Sequence, residues 1–290
     1  MIILLALSTF VRAETSGLSL LRNEHGARQA AMGAAAAALT GDVNATVYNP
    51  AAADGIDQFT ASFGHTVFWE NIRFESGYFA IGLWPKLVMH GGLRLATIDE
   101  IESRTGATDE PDGLFDSHDM TGKLGVSYTV SDKVSAGLSA GWVFEEIGGV
   151  RGSQLNFDLG VIGRINDKAS VGASVTGLGG DLNLSNSGSI GSRDIPLPTT
   201  WRLGGSYRMG TLVTVADFVL LDSKGHLHLG AEKMLRKQFG LRAGYMTGYD
   251  SKGFTAGASF SMRNVTVDYA FLPFSNNLGS SHLFNVTFTL

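Results

Sequence analysis

The residues of this chain that could do chemistry are few, and their spacing argues against each chemistry in turn. Gly137-Leu-Ser139-Ala-Gly141 matches the G-x-S-x-G pattern of hydrolases. That pattern works where a sharp strand-to-helix elbow exposes the Ser, and here it sits in the middle of one alternating run. No rim Ser and His stand out as a nucleophile–base pair. His226-x-His228 sets two imidazoles on one face of a strand, a spacing able to chelate zinc or copper. Glu232 shares their parity but lies two residues beyond the next same-face position, and the chain has no Cys. The stretch Asp99–Asp119 carries Asp99, Glu100, Glu102, Asp109, Glu110, Asp112, Asp116 and Asp119. Calcium takes clustered carboxylates, but this spacing fits no EF-hand and reads as a solvated acidic loop. Gly179-Gly-Asp-Leu-Asn-Leu184 has the look of one calcium-binding repeat and occurs once. The expectation is a protein that is not an enzyme, with no cofactor and no metal.

The elements that must position these residues are strands. In 134–144, Val134, Ala136, Leu138, Ala140 and Trp142 share one parity, while Ser135, Gly137, Ser139 and Gly141 share the other. Side chains on a strand alternate faces, so this segment has one greasy face and one slim polar face. The pattern recurs in about fourteen segments, at 58–68, 72–83, 87–98, 119–130, 134–146, 153–165, 169–178, 197–209, 211–221, 226–235, 239–246, 253–262, 264–272 and 281–290. No stretch approaches the roughly 20 apolar residues of a membrane helix. The reading is all-β: a transmembrane antiparallel β-barrel with lipid outside and a polar lumen inside.

Loop lengths give an independent test. Links after even-numbered strands are short, such as Pro85-Lys86 and Ser131-Asp-Lys133, whereas the long 99–118, 179–196 and 273–280 links follow odd-numbered ones. Outer-membrane barrels have short periplasmic turns and longer extracellular loops, so the sorting fits an even strand count in the bacterial outer membrane. Charges obey the parity. Lys123, Asp158, Arg164, Arg202, Arg208, Arg242 and Asp268 all fall on the small-residue face, because a Lys or Arg on the lipid face costs roughly 2–4 kcal/mol at mid-membrane. Asp158, Arg164, Arg202 and Asp268 are the candidate lumen charges. The 38 Gly residues are poor strand formers, and their use along the inner wall suggests that something packs closely against it. Gly91-Gly92 reads either as a bulge or break in pairing or simply as two lumen or close-packed glycines. A net charge of -5 gives no basic footprint for nucleic acid.

The N-terminal part does not alternate. Residues 1–13, with a short apolar core and Val11-x-Ala13 at its end, read as a signal peptide. Residues 14–57 follow, with the Ala-rich 26–39 stretch reading as a slim helix and Tyr48-Asn49-Pro50-Ala51 as a turn. The barrel would occupy 58–290.

Gly26-Ala-Arg-Gln-Ala-Ala-Met-Gly33, with Asp42 and Tyr48-Asn-Pro-Ala51, resembles the PorV/PorQ family of outer-membrane proteins. Asp268-Tyr-Ala-Phe-x-Pro-Phe274, with Leu278-Gly279 and His282, resembles the end of the same family. That family is similar in turn to the FadL group of fourteen-stranded barrels, where an N-terminal hatch with an Asn-Pro-Ala turn stoppers the lumen. The resemblance implies a helical plug in the lumen carrying Arg28, Asn49 and Pro50, with Arg28 meeting an acid such as Asp158 or Asp268. A thin Ala/Gly helix inside a Gly/Ser/Thr wall agrees with it. It further implies work with the type IX secretion machinery, handling or surface-anchoring cargo, with secretion-system subunits or exported cargo as partners in outer-membrane lipid. The contact surface would be the loops at 179–196 and 273–280. The alternative is a FadL-like transporter of hydrophobic compounds such as long-chain fatty acids. Gly91-Gly92 would then mark the kinked strand that opens a lateral window.

Overall fold

The structure is a computed structural model that describes residues 18–68, 72–185 and 193–290. The expected signal peptide at 1–13 lies outside the described residues. So does 186–192, part of the 179–196 loop.

Strands form where the alternation predicts them: β1 (Thr60–Val67), β2 (Arg73–Trp84), β3 (Leu87–Ser103), β4 (Gly113–Ser131), β5 (Val134–Ile147), β6 (Val150–Arg164) and β7 (Ala169–Gly179). A small hairpin follows, β8 (Leu182–Leu184) with β9 (Arg193–Ile195). Then come β10 (Thr200–Met209), β11 (Leu212–Leu221), β12 (Lys224–Leu235), β13 (Phe239–Met246), β14 (Phe254–Met262), β15 (Val265–Pro273) and β16 (Ser280–Thr289). All but β8 and β9 pair with their neighbours into one closed antiparallel barrel of fourteen strands. The seam is β1 against β16, from Thr60↔Thr289 to Val67↔His282. Among the described residues, closure leaves the barrel itself with no open strand edge, which is the condition for standing in lipid.

Burial follows parity. Leu124 on β4 is 62% exposed and Ser127 on the opposite face is 1% exposed. The outward face carries Leu138, Leu155, Leu159, Leu203, Phe218 and Phe260. Tight hairpins close several strand pairs; Gly148 (φ 56) and Gly149 (φ 84) supply the two left-handed residues that match the twist of β5 and β6.

Three local expectations are corrected. The Ala-rich 26–39 stretch is not one helix. After α1 (Ser19–Arg22), helix α2 spans only Ala27–Ala31, and Gly33 (φ 65) and Ala34 (φ 56) turn the chain out of it. The cause is competition for amide protons beyond Ala31: the wall's side chains accept those of Gly33 (Thr255 Oγ1, 3.1 Å) and of Ala36 and Ala37 (Asp217 Oδ2, 2.7 and 2.9 Å), while Ala27 N–H, which no helix would satisfy, is capped by Asn285 Oδ1 at 2.7 Å. With those donors satisfied, Ala's helix propensity of a few tenths of a kcal/mol per residue is overridden. Two short 3-10 turns, Asn44–Val47 and Pro50–Ala53, complete the segment.

The acidic 99–119 stretch is not a loop throughout, because β3 and β4 run on as a long hairpin through most of it. Ile101 faces Phe115 and Glu102 faces Leu114 across that extension. The cross-strand apolar pair Ile101–Phe115 helps sustain a ladder beyond the barrel rim. The Gly91-Gly92 pair makes no bulge, since Phe79↔Gly91↔Leu124 and Tyr78↔Gly92↔Lys123 stay in register. Irregularities fall instead at Gly82/Trp84, Ile98/Ile101, Thr129/Ser131 and Phe157/Leu159.

Candidate functional site

The interior holds the site, and the chain's own N-terminal segment occupies it. The segment enters at the end where the long loops lie and leaves at the end with the short turns. At the entry, Leu18 and Leu21 pack with Val143, Leu182, Leu184 and Leu197, under the β8–β9 hairpin. Leu20 sits beside them in a separate apolar cluster with Phe68, Phe74, Ala96 and Phe274. Arg94 of β3 closes this chamber, 4.6 Å from the Phe74 ring centre and 3% exposed. Its guanidinium donates to Leu20 O (2.7 Å) and Glu24 O (3.3 Å) and touches the His25 ring at 3.0 Å. No carboxylate pairs with it among the described residues. Burial, and then the Arg94 charge, hold the His25 imidazole well below its usual range. Glu24 turns away to Lys252 Nζ at 2.8 Å.

Mid-barrel, the wall and the segment touch backbone to backbone. A Cβ at Gly172 would lie 1.9 Å from Ala37 O, and one at Gly160 would lie 1.9 Å from Asn49 Oδ1. These wall positions need glycine for clearance. Asn49, fully buried, is extended (φ -151) before Pro50, as the residue preceding Pro is driven to be. Its Oδ1 accepts from Ala51 N–H at 3.0 Å and its Nδ2 donates to Ala37 O at 2.7 Å. Pro50 then opens a 3-10 turn at the position where a missing N–H costs nothing.

Arg28 meets Glu232 of β12 through a two-pronged contact, Nε–Oε2 2.9 Å and Nη2–Oε1 2.8 Å, and Asp42 of its own segment at 2.9 Å. It pairs with neither Asp158 nor Asp268. Burial opposes its charge, and Glu232 and Asp42 more than offset that. Glu232 also accepts from Arg242 at 2.7 Å, and Arg242 reaches Asp268 at 2.7 Å. The result is a buried relay of alternating charge, Asp42–Arg28–Glu232–Arg242–Asp268. The other proposed lumen charges also face inward. Asp158 accepts from Lys123 and Ser139 (2.7 Å each) and from Gly177 N–H at 2.8 Å. Arg164 pairs with Asp54 of the segment. Arg202 donates to Ala34 O at 3.3 Å and lies 4.9 Å over the Tyr48 ring.

Two cavities flank the segment on its way out, both bordered by Arg28. One of about 560 Å³ is lined by Asp42, Gln58, Glu232, Arg242 and Asp268 among others, and one of about 370 Å³ by Leu39, Lys133, Arg164, Lys168 and Arg208. The Ser139 hydroxyl is one more wall group bonded to Asp158, with no elbow. His226 stacks on Tyr249 at 3.8 Å and His228 bonds the Tyr249 hydroxyl at 2.9 Å. No cluster of metal-ligating side chains occurs among the described residues.

Sequence reasoning missed the segment's principal anchors on the wall: Asp217, Asn285, Arg94 and Glu232. The signal available was parity for Asn285, Arg94 and Glu232, which share a face with small or polar residues, but not for Asp217, whose inward neighbours on β11 are Val213, Val215 and Val219. Parity does not say which of them meets the segment.

No protein-family model and no curated protein matches this chain. Solved structures do. The Pseudomonas putida toluene transporter TodX superposes with a TM-score of 0.66 at 14% identity, covering 92% of this chain and 97% of that one. The Ralstonia pickettii toluene transporter TbuX gives 0.63 at 15%, covering 92% and 97%. A Pseudomonas aeruginosa FadL homologue gives 0.57 at 12%, covering 92% and 98%. The fold is that of the FadL-type outer-membrane barrels. At these identities the likeness extends to architecture. PorV/PorQ proteins are not among these structures, and nothing in them bears on type IX secretion.

Proposed function

We propose that this FadL-type barrel is an outer-membrane channel for small hydrophobic compounds, with residues 14–57 as its plug and 58–290 as its barrel. The observation that carries the proposal is the apolar chamber around Leu20, Phe68, Phe74 and Phe274 at the outer end of the lumen, filled by the chain's own segment. A channel for apolar ligands needs a greasy entry and a stopper that keeps polar solutes out. This segment supplies the stopper, and it releases the chamber only when it moves. Arg94, a buried guanidinium held by carbonyl oxygens, is placed to take the carboxylate of a ligand such as a long-chain fatty acid. Structural relatives described as transporters of toluene support the hydrophobic class. The type IX secretion role, with its subunit and cargo partners, rests on sequence resemblance alone, and no contact in the structure favours it.

The test is uptake of a labelled long-chain fatty acid by vesicles holding the purified barrel. Uptake should exceed that of protein-free vesicles, fall on altering Asn49-Pro50 and fall on Arg94→Met. Uptake equal to that of protein-free vesicles overturns the proposal.

A further inference from the structure

Outside the lumen, on the outward face at the start of β16, three side chains meet in a connected line. Ser280 Oγ lies 3.1 Å from His282 Nε2, and His282 Nδ1 lies 2.8 Å from the Tyr269 hydroxyl. The arrangement follows from register. Ser280 and His282 are two apart on one strand and share its outward face. Phe271 of β15 is the direct partner of His282, and that places Tyr269 diagonally beside the ring. The Phe271 ring, 5.4 Å from His282, packs against the imidazole, and the three polar side chains are all partly exposed. Ser281, on the other parity, is 1% exposed and bonds Val67 O.

We infer that Ser280, His282 and Tyr269 form a nucleophile–base–orienter set that cleaves carboxylic esters of lipids in the outer leaflet. The imidazole can bond both neighbours in either tautomer, and one of the two activates the serine. Nδ1–H donates to the Tyr269 oxygen, which leaves Nε2 free to accept the Ser280 proton, the geometry an activated serine requires. The site lies at the base of the 274–279 link, on the side of the long loops. A position at the long-loop end of an outward apolar face falls near the headgroup–acyl boundary of a bilayer, where lipid ester bonds are found. Nothing in the lumen would bring a substrate there; the bilayer itself presents it.

Ser280 Oγ attacks the ester carbonyl carbon while His282 Nε2 takes its proton. The acyl–oxygen bond breaks, and His282 returns the proton to the departing alcohol oxygen. Water, deprotonated by the same nitrogen, then attacks the acyl carbon, the acyl–Oγ bond breaks, and His282 returns that proton to Ser280 Oγ, releasing a carboxylic acid and restoring the serine. No oxidant, metal or further reactant enters the balance. Tyr269 is a positioning residue, as it touches only the imidazole.

The test uses the full-length barrel, its fold verified by a heat-dependent gel shift, in phosphatidylethanolamine vesicles. A fluorophosphonate probe should label Ser280, located by mass spectrometry of the adduct, and fatty acid should be released from the vesicles. Ser280→Ala and His282→Asn should each lower both readouts at least about a hundredfold. Ser139→Ala, which alters the buried G-x-S-x-G serine, should change neither. Tyr269→Phe should lower release about tenfold and move its pH profile, which loss of a merely structural contact would not do. A folded wild-type barrel that takes no label and releases no fatty acid overturns the inference. Labelling that persists in Ser280→Ala overturns it equally.

Discussion

The relay through Glu232 makes a prediction about what holds the plug. In the docked state Glu232 sits between two guanidiniums, Arg28 at 2.8 Å and Arg242 at 2.7 Å, with its side chain 6% exposed. Glu232→Gln removes the shared anion and leaves Arg28 and Arg242 close together in a buried site. Breaking a buried pair from one side costs about 3–5 kcal/mol. Asp42 and Asp268 remain as partners, so the lower end applies, and docking should weaken by about 3 kcal/mol, roughly a hundredfold or more in the plug's equilibrium. Arg28→Met removes the charge together with its desolvation penalty and leaves Glu232 paired with Arg242. It should cost only about 1 kcal/mol. The double variant should behave like Arg28→Met, regaining about 2 kcal/mol over Glu232→Gln alone.

The natural chain has no Cys, so Thr46→Cys, at a buried plug position, gives a clean reporter. Its maleimide labelling rate in native vesicles tracks the undocked population when reclosure is fast. Labelling about a hundredfold faster in Glu232→Gln, and largely reversed by adding Arg28→Met, is the expected result. Strictly additive effects, or a Glu232→Gln rate within about twofold of the parent, refute the claim that this relay latches the plug.

Other outcomes follow from the same contacts. Gly172→Val should drive the segment from the wall and raise Thr46→Cys labelling. Gly163→Ala, where the added carbon meets only Val171 at 3.6 Å, should leave the rate unchanged. Asp217→Asn, which weakens the acceptor for the Ala36 and Ala37 amides, should cost about 1–2 kcal/mol of docking, read by the same assay. His25 is neutral when docked because burial and Arg94 lower its affinity for a proton. The released segment binds a proton below the ordinary value of 6.5, so docking is strongest above that pH and weakens as pH falls below it, by up to about tenfold per unit. Because maleimide reacts with the thiolate, the rate is divided at each pH by that of the denatured variant; the normalised rate should rise between pH 7.5 and 5, and His25→Gln should flatten that dependence.

Much of this molecule was legible in its sequence. The period-two alternation located the barrel strands within a few residues and separated outside from inside. The reason is that lipid rejects charge on one parity while a narrow lumen requires small side chains on the other. The glycine-rich wall foretold close packing from within, and Asn49-Pro50 foretold a turn. The Ala-rich stretch misled, because helix propensity describes a chain that has only its own carbonyls to bond. Inside the barrel, Thr255 and Asp217 offer better-placed acceptors to the amides that follow, and the helix stops after Ala31. Arg28 likewise met Glu232 and not Asp158 or Asp268. Partners across a lumen depend on the tilt and stagger of strands distant in sequence, which no local pattern encodes. The outward line of Ser280, His282 and Tyr269 was invisible for the same reason: only the register of β15 against β16 brings Tyr269 to the imidazole. Parity, set by the solvent on each side, was fixed residue by residue; adjacency, set by closure of the barrel around its own segment, belonged to the tertiary structure.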